Sequence, residues 1–199
     1  MGDVKTGDFV AAIYSISKEL EECQSQIYNA FIYNNPSFLD EADTVTKRVI
    51  DNEERLTTEL LAACGKDEKA RRYCTVPTNL GRIAFNFEII SRAVRTKIKE
   101  DLLFSDKAIS EVNFLFNRTK EILNTLSDFL LARNTYTANY LIESEKEIER
   151  AATEFATLHE ERLIEGLCLP KVSGIYILIL DSIKRIAWNA RTIAENLVR

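Results

Sequence analysis

Arg82-Ile83-Ala84-Phe85-Asn86 and Arg185-Ile186-Ala187-Trp188-Asn189 are one string written twice: basic, branched apolar, small, aromatic, asparagine, 103 residues apart. The same shift reaches far outside the string. It carries Phe9, Ile13, Leu20, Cys23 and Ile27 onto Val112, Phe116, Leu123, Leu126 and Leu130. It carries Val45, Val49, Asn52, Leu56 and Leu60 onto Ile148, Ala152, Phe155, His159 and Leu163, and Val76, Leu80, Ile83, Phe87, Ile90 and Val94 onto Ile179, Ile183, Ile186, Ala190, Ile193 and Leu197. Three stretches that hold register over one gapless shift are the mark of two copies of a single unit.

Each aligned stretch repeats apolar residues at steps of three and four, the spacing of one face of an α-helix. The first stripe runs Phe9, Ile13, Ile16, Leu20, Cys23, Ile27, Phe31, with Asp8 as the expected N-cap and Asn34-Asn35-Pro36 as the stop. Ser37 and Asp40 resemble a capping box that opens the second stripe, which Gly65 closes. The third runs from about Asp67 to Glu100, where Pro77 is expected either to kink the helix or to mark its true start. Ser105 and Asp106 cap the fourth, the fifth extends from about Thr135 to Gly166, and Pro170 suits the first turn of the sixth.

The chain has only six Gly and three Pro, which leaves few sharp turns, and no segment alternates with period two. Short connections make successive helices antiparallel neighbours. The expected fold is therefore all-α: two tandem antiparallel three-helix bundles, residues 1–104 and 105–199, joined by residues 101–107.

A formal net charge of −5 argues against a nucleic-acid or anionic-lipid footprint, which needs clustered Lys and Arg. No apolar signal segment follows Met1–Lys5, and the longest apolar run, Ile175 to Leu180, is far below the ~20 residues of a membrane span. Cys23, Cys64, Cys74 and Cys168 form no C-x-x-C pair and are expected to be free thiols in a reducing cytoplasm.

Catalytic constellations fail one by one. His159 is the single histidine; Ala156 stands where a di-iron Glu-x-x-His pair needs its acid, and Leu163 stands where a zincin needs its second histidine. Its register opposite Leu56 marks it as a core or interface histidine. No G-x-x-x-x-G-K or G-x-G-x-x-G loop exists to cradle phosphates. The acidic runs 143–147 and 51–55 mix signs at helical spacing and read as solvated faces. An enzyme is not expected, nor any cofactor.

The duplicated helical unit and its third-helix strings, Leu80-Gly81-Arg82-Ile83-Ala84-Phe85 and Ile183-Lys184-Arg185-Ile186-Ala187-Trp188, resemble the PhoU family over nearly the whole chain. The resemblance implies two tandem three-helix bundles and a regulator of phosphate uptake. Family members carry a string close to L-E-R-I-G-D there, whose acid and Asp four residues apart bind multinuclear metal clusters. The Arg-Ile-small core is kept, but Gly81 and Lys184 replace the acid while Phe85 and Trp188 replace the Asp. A hard cation needs oxygen ligands, so the family metal site is expected to be missing.

Residues four apart share one helix face, so the four changes turn an acidic face into an aromatic and basic one. Two readings stand: Phe85 and Trp188 pack in a dimer interface or against a neighbouring helix, or Arg82, Phe85, Asn86, Lys184, Arg185, Trp188 and Asn189 form a face for an anionic or protein ligand. The implied role is a PhoU-like accessory protein of phosphate transport or signalling, homodimeric and cytoplasmic. It would act by contact with a transporter or sensor component, docking peripherally on a membrane protein. The alternative is a helical adaptor or small-anion sensor on the same scaffold.

Overall fold

The computed structural model describes residues 6–65 and 67–198; the Met1–Lys5 segment examined for a leader lies outside them. Seven helices follow one another: α1 (Thr6–Tyr33), α2 (Ser37–Cys64), α3 (Glu68–Tyr73), α4 (Val76–Lys99), α5 (Asp106–Ala132), α6 (Thr135–Ile164) and α7 (Pro170–Val198). The described residues contain no strand. α1, α2 and α4 pack on one another, as do α5, α6 and α7, and the two sets meet where α4 lies on α7 and α1 on α5.

The stripes are the core. Phe9, Ile13, Ile16, Leu20, Cys23, Ile27 and Phe31 are all buried on α1, and Val76, Leu80, Ile83, Phe87, Ile90 and Val94 on α4. Residues that the 103-residue shift aligns share their environment: Ala84 and Ala187 are buried, Asn86 and Asn189 are buried, and Phe85 and Trp188 are half-exposed. The joining segment contributes as well, because Leu102 and Phe104 are buried and the Phe104 ring meets both Phe31 and Tyr176 edge-on.

Several local expectations are corrected. The third helix is two: α3 ends at Tyr73 and Pro77 sits in the first turn of α4, where its missing N–H costs nothing. Pro36, not Ser37, is the N-cap of α2, and the expected capping box does not form; the Ser37 amide instead donates to Asn35 Oδ1 at 3.0 Å. Asp8 lies inside α1. Ser105 does cap α5, its hydroxyl accepting from the Ala108 amide at 3.2 Å, a contact worth about 1 kcal/mol. Cys64 and Cys74 are disulfide-bonded across the α2–α3–α4 turn, so only Cys23 and Cys168 are free. The cysteines sit ten residues apart at the two ends of one turn, a closeness that chain order alone does not fix.

The acidic run of α6 is not simply solvated. Glu145 is buried and accepts from Arg191 Nη1 on α7 at 3.0 Å, while Glu147 pairs with Arg118 on α5. A deeper cluster joins the same three helices. Glu111 on α5 is 2% exposed and takes both Arg162 Nη atoms of α6 at 3.0 and 2.8 Å and the Tyr176 hydroxyl of α7 at 2.6 Å. Burial, and then the Glu111 carboxylate, push the Tyr176 phenol well above its usual range. His159 lies against that ring, tilted, at 4.4 Å between centroids, and its Nε2 meets Ser173 Oγ at 2.9 Å. Burial, with the Arg162 charge, lowers the His159 pKa. This histidine is a core residue.

Candidate functional site: the outer face of the α4–α7 pair

Two cross-links fix how α4 and α7 lie together. Asn196 Nδ2 donates to Thr75 Oγ1 at 3.2 Å, and Lys171 Nζ pairs with Glu100 Oε2 at 3.0 Å. The start of α4 therefore meets the end of α7 and the reverse, so the helices are antiparallel. Phe85 lies ten positions beyond Thr75, and Ile186 ten before Asn196, which brings the Phe85 and Trp188 turns level to within about 3 Å at 1.5 Å rise per residue. The two copies of the string thus sit side by side at the middle of the pair.

Asn196, Asn189 and Ser182 recur every seventh residue on α7, and Asn196 reaches α4, so this stripe is the α7 side of the seam. On α4 the opposite flank is taken by α2, since Ser91 bonds Asp43, Arg95 bonds Asp40 and Asp43, and Thr78 bonds Glu53. Asn79 and Asn86 are left for the α7 side. Asn86 Nδ2 donates to the Arg82 carbonyl at 2.8 Å and Asn189 Nδ2 to the Arg185 carbonyl at 2.6 Å. In both, Oδ1 is buried without a partner. Buried Asn79, Asn86, Ser182 and Asn189 thus put polar side chains into this seam.

Outside the seam, Phe85 is 51% and Trp188 49% exposed. Packing within the chain therefore covers about half of each ring and leaves the rest open to water. Arg82 and Arg185 are exposed, and neither guanidinium makes an ion pair among the described residues. Lys184 is different: its ammonium pairs with Glu149 on α6 at 2.8 Å and touches Thr153 Oγ1 at 3.5 Å. At Gly81 the missing side chain is replaced by a neighbour, for a Cβ there would stand 2.8 Å from Glu53 Cγ. The Glu53 carboxylate is itself held by the Thr57 and Thr78 hydroxyls at 2.9 and 3.1 Å. Glu53 belongs to the run 51–55, which reads from the sequence as a solvated face; its bonds to Thr57 and Thr78 correct that reading for this residue. Glu149 is not singled out in the sequence, where it looks like an ordinary surface acid.

Among solved structures, the chain matches the crystal structure of PhoU from Pseudomonas aeruginosa at a TM-score of 0.88, with 15% identity, over 96% of this chain and 94% of that one. It matches the phosphate transport system regulatory protein PhoU from Streptococcus pneumoniae at 0.84, with 12% identity, over 97% and 93%. The chain has the PhoU fold. No family model matches it, and no curated protein matches its sequence.

In the PhoU fold the implied metal positions are Gly81, Phe85, Lys184 and Trp188, and what surrounds them does not fit a hard cation. Glu53 is committed to two hydroxyls beside Gly81, Glu149 to the Lys184 ammonium, and the remaining two positions are aromatic rings. Among the described residues no three His, Cys, Asp or Glu side chains gather closely enough to hold an ion. What the face offers is stacking surface and two free guanidiniums.

Proposed function

We propose that this chain is a regulatory or accessory protein of phosphate transport or phosphate signalling that works by protein contact and not by catalysis. The observation that carries the reading is the likeness to two PhoU structures over nearly the full length of both partners, with no large element added or lost. In this reading residues 1–104 and 105–199 are two copies of one unit, supported by the shared burial at shifted positions and by the polar seam between them. The chain works in the cytoplasm, docked on a transporter or sensor component; no helix among the described residues is long and apolar enough to cross a membrane itself.

The test is phosphate uptake, with expression of phosphate-responsive genes, in a strain lacking this gene. Uptake that no longer responds to external phosphate supports the reading, and an unchanged response refutes it. The altered strings at Gly81, Phe85, Lys184 and Trp188 favour one other reading, an adaptor or small-anion sensor on a PhoU scaffold with no part in phosphate uptake. A stabilising response to a free anion singles out the sensor, because a ligand at 100 times its dissociation constant adds about 2.7 kcal/mol. Self-association, one of the uses read for the paired aromatics, is tested by light scattering: a dimer at micromolar concentration supports it and a monomer ends it.

A further inference from the structure

We propose that the outer face of the α4–α7 pair is a docking surface for an acidic segment of a partner protein, gripped by the Arg82 and Arg185 guanidiniums and anchored on Phe85 and Trp188. This surface deepens the protein-contact reading and rests on it.

The placement of the charges comes first. Arg82 stands three residues before exposed Phe85 and four before buried Asn86, so at 100° per residue it lies between the outer face and the seam. Arg185 stands the same way to Trp188 and Asn189. The antiparallel register sets Arg185 level with Asn86, one helical turn or about 6 Å along the axis from Arg82, across helix axes that pack about 8–10 Å apart. Two guanidiniums thus lean toward one seam from opposite sides, with an aromatic ring outside each.

Neither guanidinium makes an ion pair among the described residues, although Asp181 lines one cavity with Arg185. Arg48, Arg55, Arg92, Arg95, Arg118, Arg162 and Arg191 have carboxylate partners, whereas Arg71, Arg72, Arg133 and Arg150 resemble Arg82 and Arg185 in having none among the described residues. What sets Arg82 and Arg185 apart is that each stands beside a half-exposed aromatic ring on one shared face. The two stay unpaired in a chain with net charge −5, where carboxylates are in excess. Guanidinium forks match carboxylates bidentately, and half-exposed Trp, Phe and Arg together are the composition of interface anchors.

The geometry also decides among occupants. A second copy would bring four like charges together at the centre of the contact, which is strongly unfavourable. A metabolite needs enclosure, whereas these rings are half open to water. The cavity beside Trp188, about 320 Å³, opens toward α6 and is lined by Glu149 and Asp181 as well as Lys184 and Arg185, so a free anion entering it would meet two carboxylates, one of them already paired with Lys184. An acidic helix with carboxylates one turn apart and an apolar side chain between them matches what is left.

Trp188 is the only tryptophan in the chain, so its emission reports this face alone. The probes are two synthetic amphipathic helical peptides with the same leucine stripe, one flanked by Glu and one by Lys, titrated at low salt. Net charge by itself favours the Lys peptide; the docking surface requires the Glu peptide. The expected result is a blue shift of Trp188 emission and about twofold less acrylamide quenching with the Glu peptide, with the Lys peptide inert. Arg82→Glu/Arg185→Glu is expected to weaken Glu-peptide binding about tenfold or more while leaving helicity and Tm unchanged, since both sites are exposed.

A response to the Lys peptide equal to that for the Glu peptide, or no response to the Glu peptide at millimolar concentration, overturns the proposal. So does Trp188 emission that shifts on dilution of the protein alone, which would assign the face to a second copy. Glu-peptide binding in a chain whose deletion leaves phosphate uptake unaltered would remove the phosphate reading and keep this surface.

Discussion

Arg162→Met tests the account of the core where it is most demanding. The change keeps the aliphatic stem but removes both donors from Glu111, whose side chain is 2% exposed. Tyr176 still donates to the carboxylate, and Lys107, at 4.0 Å and largely in solvent, supplies a weak second charge. Breaking a buried pair by removing one partner costs about 3–5 kcal/mol; with these two remaining contacts the lower end applies, about 3 kcal/mol. For a chain of this size that lowers Tm by roughly 6–12 °C.

Urea unfolding followed by far-UV circular dichroism measures the loss directly. Glu111→Gln/Arg162→Met removes the stranded charge while leaving Tyr176 an acceptor, and is expected to recover more than half of it. An Arg162→Met protein within about 0.5 kcal/mol of wild type would show that the carboxylate finds water, contrary to its burial. A double variant as unstable as the single would place the cost in packing and not in charge.

Thiol titration of the unfolded, oxidised protein should find two free cysteines, Cys23 and Cys168, and four after reduction. Replacing the pair with Cys64→Ser/Cys74→Ser should cost about 2–3 kcal/mol, the loop-closure entropy of so short a ring; four free thiols in the oxidised sample would refute the pairing. The lowered pKa of buried His159 means that the unfolded chain binds its proton more readily. Its contribution to stability is present above about pH 6.5 and is lost as pH falls through the folded-state value. The wild-type minus His159→Gln difference in unfolding free energy should therefore shrink from pH 7.5 to pH 5, and a difference independent of pH would contradict the burial argument.

Much of the fold was legible in the sequence because apolar stripes depend on backbone periodicity alone. Every residue of the α1 stripe is buried, whereas the level placement of the string at residues 82–86 with its twin at 185–189 comes only from the antiparallel packing of α4 on α7. Less legible was anything set by side chains meeting across helices. Glu111 stands next to Val112 among buried Ala108, Leu115 and Ile122, and only the arrival of Arg162 and Tyr176 from two other helices makes its burial possible. Glu145 looks like any charged residue of a surface helix until Arg191 of α7 is placed against it. The break at Cys74 and Thr75 was half visible, since Pro77 allowed either a kink or a start. At the candidate site the residue types were read from the strings, but the backing of Gly81 by Glu53 and of Lys184 by Glu149 comes only from helix packing.

The central claim is that a chain with the PhoU fold presents, at the positions where the family resemblance implies metal, an aromatic and cationic face that meets a protein. The most direct measurement is elemental analysis of the purified protein before and after incubation with ferrous iron and zinc, beside a Gly81→Glu/Phe85→Asp/Lys184→Glu/Trp188→Asp variant. The account expects no stoichiometric metal on the native chain, and a gain on the variant only if Glu53 gives way to the new side chain at position 81. One or more iron or zinc ions per native chain, retained through gel filtration, would contradict it.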